Sequence, residues 1–99
     1  MQMDVERIRQ MEARLNRTAA AVSRLDKSLD EMDGLREDMI RLFQYYGSEN
    51  WYADREGDLP ADVPAGVLSE DAVYDAITDL RAAALRMLKL ATDILENRI

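Results

Sequence analysis

Apolar side chains return every three or four residues along the first half of the chain, at Ile8, Met11, Leu15, Val22, Leu25, Leu29, Met32, Met39, Phe43 and Tyr46. Only Thr18 and Arg36 interrupt that spacing at seam positions. Steps alternating between three and four place the whole set on one stripe of a helix, in the a and d positions of a heptad repeat. A strand, with its period of two, would scatter them over both faces. Extra apolar residues at Leu35, Ile40 and Leu42 broaden the stripe towards its end, so that end is expected to meet more than one neighbour. The pattern predicts a helix over about residues 4–46. Asp33-Gly34 is the one plausible break, glycine being the usual residue just past a helix end. The heptad phase runs through it without a slip, and a glycine inside a helix costs only about 1 kcal/mol. One continuous helix is therefore the expectation, with two helices hinged at Gly34 as the runner-up.

A second helix is expected over residues 69–97. Ser69 suits the N-cap, and Glu70 and Asp71 follow in the first turn, where the helix dipole favours anions. Leu68 before the cap and Val73 after it have the spacing of a hydrophobic staple. Val73, Ile77, Leu80, Ala84, Met87 or Leu88, Ala91 and Ile94 or Leu95 then form one apolar face.

Between the helices, residues 47–68 read as an irregular connector. Gly47 stops the first helix, Ser48 is placed to cap a short turn holding Trp51, and Pro60 and Pro64 bar long regular structure. Trp51, Tyr52, Leu59, Val63, Val67 and Leu68 carry too much apolar surface for a solvated linker. Helices of roughly 65 Å and 43 Å cannot cover each other's stripes. The fold class expected is all-α: one domain, a long coiled-coil-like helical hairpin completing a bundle by dimerisation.

Composition removes several chemistries. The 99 residues include no cysteine, hence no disulfide or thiolate, and no histidine, the commonest general base and metal ligand. The net charge of -7 is uneven: residues 47–79 carry Arg55 against nine acidic side chains, and this field disfavours phosphate backbones. The charged start and the absence of a long apolar run predict neither signal peptide nor membrane span, and so a cytoplasmic protein. Asp54, Glu56 and Asp58 invite a calcium reading, but the loop glycine is misplaced and no Glu follows at the twelfth place. No metal, no cofactor and no catalytic constellation are expected, because the seam is apolar and the acids fall on outer faces or in the connector.

Tyr45-Tyr46-Gly47-Ser48, then Trp51, Asp54, Leu59-Pro60, Gly66-Val67-Leu68-Ser69-Glu70-Asp71 and Val73-Tyr74-Asp75 resemble a known family, the bacterial domain of unknown function 4298. The resemblance extends more loosely over both helices. It implies no activity; it implies that the connector and the cap after it, more than the coiled helices, carry the family's identity.

All six aromatic residues lie within residues 43–74. They read either as a mini-core pinning the connector or as a contact surface combining area with polar handles. The functional expectation is a non-enzymatic interaction protein, homodimeric, whose aromatic and acidic connector binds a macromolecular partner. The contact residues expected are Tyr45, Tyr46, Ser48, Trp51, Asp54, Arg55, Ser69, Glu70, Asp71 and Tyr74. One alternative is a binder of a small nucleotide-like signal, with Arg55 and the helix start at Ser69 supplying contacts. A further alternative is an acidic mimic of nucleic acid that blocks a basic protein.

Overall fold

The computed structural model describes residues 2–99. All regular structure among them is helical: α1 (Val5–Gly34), α2 (Arg36–Tyr45), α3 (Glu49–Glu56), a 3-10 turn (Gly66–Leu68) and α4 (Ala72–Leu95). The chain divides into two compact units, the first ending at Asp38 and the second running Met39–Ile99. No helix among the described residues is long and apolar enough to cross a membrane.

In the first unit, α1 opens on Asp4, whose carboxylate accepts the Arg7 N–H at 3.1 Å, with Glu6 in the first turn. The helix does not run unbroken to residue 46. It ends at Gly34, as the runner-up reading had it. Leu35 lies at φ -92°, ψ -1°, and its N–H is shared between the carbonyls of Glu31 (3.1 Å) and Met32 (3.2 Å), the tightening common at helix ends. Arg36 reaches back across the break to Asp33 at 3.3 Å. Gly34 is not demanded by space, since a Cβ there meets nothing within 4 Å; it acts by leaving its backbone less constrained.

In the second unit, α2 ends where Gly47 takes φ +77°, a left-handed conformation suited to glycine. The connector is more regular than expected. Ser48 accepts the Trp51 N–H at 3.3 Å and starts α3, eight residues that run until Gly57. A helix so short holds through tertiary packing more than propensity, and Trp51, 4 % exposed, supplies that packing. α3 and α4 both pack on the 3-10 turn.

The last helix is shorter than the predicted 69–97. Ser69 Oγ accepts the Ala72 N–H at 3.1 Å, as a cap should, but the first α-helical acceptor is the Asp71 carbonyl. The Glu70 carbonyl instead accepts the Tyr46 hydroxyl. At the other end Asn97 adopts φ 59°, with Asn97 N–H on the Ile94 carbonyl and Arg98 N–H on the Asp93 carbonyl. That pair of bonds is a Schellman motif, with asparagine in the place glycine usually takes, and it closes α4 at Leu95. Val73 is 4 % exposed, Ile77 and Leu80 are half-buried, and from Arg81 to Thr92 every residue is exposed.

Candidate functional site

Three side-chain hydrogen bonds fasten the second unit around Trp51. The Trp51 indole Nε1 donates to the Val67 carbonyl at 2.9 Å, tying α3 to the 3-10 turn. Tyr46 donates its hydroxyl to the Glu70 carbonyl at 2.7 Å, tying the end of α2 to the turn before α4. Tyr45 donates to the Asp54 carboxylate at 2.5 Å, tying α2 to α3. Adjacent tyrosines on a helix point in different directions, so Tyr45 and Tyr46 can hold separate partners. Their following glycine turns the chain back within reach of both.

The indole is also surrounded by rings. Tyr46 meets Trp51 edge-on, with centroids 5.0 Å apart, and Tyr52 does the same at 4.9 Å. Arg55, one helical turn after Trp51, lays its guanidinium 4.6 Å from the indole centroid and pairs with Glu70 at 3.4 Å. The Arg55–Trp51 contact is a cation–π pair, worth about 0.5–1 kcal/mol at a partly exposed site. Hydrogen bonding to Asp54 holds the Tyr45 phenol above its usual pKa, aided by partial desolvation and by the negative charge of the carboxylate.

Two open clefts flank this clasp. One, of about 470 Å³, is lined by Tyr46, Gly47, Trp51, Tyr52, Arg55, Glu70, Asp71 and Tyr74. The other, of about 350 Å³, lies among Tyr45, Asp54, Leu59, Val63, Pro64 and Val67. A larger hollow of about 550 Å³ runs past Ala83, Arg86, Met87, Lys89, Leu90 and Asp93. All six belong to α4, so it is the relief of one helix surface and not an enclosure.

Of the ten contact residues expected, six line the first cleft: Tyr46, Trp51, Arg55, Glu70, Asp71 and Tyr74. Tyr45 and Asp54 line the second. Ser48 caps α3, whereas Ser69 accepts the Ala72 N–H from the turn before α4, whose N-cap is Asp71. Trp51 is buried, the centre of a mini-core more than an exposed contact, whereas Tyr74 and Tyr52 stand 60 % and 56 % exposed. Tyr52 is the residue the expectation missed. Reading residues 49–56 as a helix would have found it, since that places Trp51 and Arg55 one turn apart and Tyr52 beside them. No group of three or more His, Cys, Asp or Glu among the described residues is placed to hold a metal ion.

A helical protein built on a tryptophan clasp is the class these features define. The model of the family described as a domain of unknown function, DUF4298, matches residues 8–90, and the chain belongs to that family. The match takes in most of α1 and α4 as well as the clasp. No curated protein matches the chain.

Proposed function

We propose that this is a non-enzymatic, cytoplasmic interaction protein that works as a coiled-coil homodimer and binds a macromolecular partner through its aromatic, acidic clasp. The observation that carries the proposal is the division of labour among the aromatics. Tyr45, Tyr46 and Trp51 spend their polar groups on holding the clasp. Tyr74 stands outward, and Tyr52, packed edge-on against Trp51, still leaves more than half of its surface exposed on a cleft rimmed by Glu70 and Asp71. Tyrosine side chains, with few rotatable bonds, offer contact area at a low ordering cost. The acidic rim favours a basic partner surface and rejects acidic ones. Arg55 already serves Trp51 and Glu70, which disfavours the small anionic ligand of the alternative reading. Dimerisation is supported by the bare apolar face of α1, a surface that soluble monomers rarely leave open.

The test is a photo-crosslinking residue placed at Tyr74 in the native host, beside the double variant Tyr52→Ala/Tyr74→Ala. A protein partner crosslinked from Tyr74, whose capture the double variant loses while its helicity is unchanged, supports the proposal. Crosslinks only to a second copy of the chain, or none, reject it.

A further inference from the structure

α1 buries none of its described side chains, and Ile8, Met11, Leu15, Val22, Leu25 and Leu29 stand 45–60 % exposed along it. The polar member of that run, Thr18, donates its hydroxyl to the Arg14 carbonyl at 2.8 Å. The hydroxyl is thus satisfied inside its own helix and does not oppose a dry seam. Within α1 the stripe runs to Met32; Leu35 lies in the break, and Arg36 interrupts the next seam position before Met39 resumes the spacing in α2.

The positions flanking the stripe are segregated by charge. One edge carries Arg7, Arg14, Ala21 and Ser28; the other carries Glu12, Ala19, Asp26 and Asp33. The first edge is basic or small, and the second is acidic or small. Two copies lying parallel and in register bring the basic edge of each against the acidic edge of the other. Arg7 then faces Glu12 of the second copy, twice by symmetry, and no like charges meet. Reversing one helix exchanges these neighbours. With the stripes centred on each other, Glu12 then lies against Asp26 of the second copy, again twice. Ile8 and Val22 are β-branched at a positions and Leu15 and Leu29 are not, so the flanking charges are what distinguish the two orientations.

We infer that α1 is the dimerisation helix and that its two copies run parallel and in register. The inference rests on the dimeric reading proposed above and adds its orientation. Each surface ion pair is weak, so the charges select the direction while burial of the stripe supplies the attraction. Arg7 has donors to spare: one guanidinium nitrogen bonds the Gln2 carbonyl at 3.3 Å, and the group carries five N–H bonds in all. Glu12 has no partner within the chain among the described residues.

The chain's lack of cysteine makes single introduced cysteines clean probes of this geometry. Met11→Cys and Met32→Cys, each alone under mild oxidation, are expected to give disulfide-linked dimers, because in a parallel pair every seam position meets itself. Glu12→Arg is expected to weaken the dimer roughly 5- to 10-fold, by turning two attractive pairs repulsive. An antiparallel pair gives the opposite results: crosslinking only when Met11→Cys is mixed with Leu29→Cys, and a tighter dimer with Glu12→Arg. Those outcomes overturn the orientation and leave the dimer standing. Sedimentation equilibrium of the unaltered protein separates the other failure, since a chain monomeric at every concentration removes the dimer and this inference with it.

Discussion

In α1, Leu15, Val22 and Leu25 stand in the open, and the helix buries nothing; in the clasp, Trp51 is 4 % exposed with its indole N–H bonded. Both regions are rich in large apolar side chains, but they are shaped for different uses. A regular stripe on a single helix has every apolar group facing the same way, so it cannot enclose itself. The clasp changes direction at Gly47, Gly57 and the prolines, which lets short pieces close around one indole. The Tyr46 hydroxyl and the Trp51 indole N–H then tie the pieces together through the backbone carbonyls of Glu70 and Val67. Irregularity lets the clasp bury its tryptophan, and regularity leaves the stripe of α1 exposed.

The hardest blow to that contrast is Trp51→Ala. It is expected to cost about 3–5 kcal/mol, as truncation of a buried aromatic does, and to collapse the clasp while α1 keeps its helix. Urea unfolding followed by far-ultraviolet circular dichroism reads both parts, and a loss under about 1 kcal/mol would deny Trp51 its central place. Gly47→Ala comes next, costing about 1–2 kcal/mol because alanine resists the left-handed turn. Gly34→Ala should do the reverse and stabilise by about 0.5–1 kcal/mol, since its site is open and its backbone is not left-handed. Equal effects of the same sign at the two glycines would mean that only one kind of region exists.

The smallest effect belongs to Tyr45. Its pKa is raised in the folded protein, so the stabilisation from the Tyr45–Asp54 bond is present below about pH 10 and is lost as pH climbs through Tyr45's own higher value. An ultraviolet titration should show one tyrosine ionising later than an ordinary phenol, and Tyr45→Phe should remove that late step alone.

Much of this architecture was legible in the residues. The heptad stripe announced α1, Gly47 announced the turn, and Ser48 announced its cap, while the N-cap of α4 fell at Asp71, two residues after Ser69. The break at Leu35 was hidden because side-chain periodicity records which face a residue occupies, while the break is a change in backbone hydrogen bonding that leaves the phase intact. α3 was hidden for another reason: Glu49-Asn50-Trp51-Tyr52-Ala53-Asp54-Arg55-Glu56 has too few apolar residues to show any period. The roles of the aromatics could not be sorted from sequence either. The same residue types build cores and contact surfaces, and only the hydrogen bonds of Trp51, Tyr45 and Tyr46 separate them from Tyr52 and Tyr74.

Trp51 is the chain's single tryptophan, and it sits enclosed by two tyrosine rings and a guanidinium. Every molecule therefore carries a built-in fluorophore set within the clasp. Its emission should lie to the blue of solvated indole and shift to the red when the connector lets go. Anything that loosens or reshapes that connector can be followed by light from one side chain, with no label added.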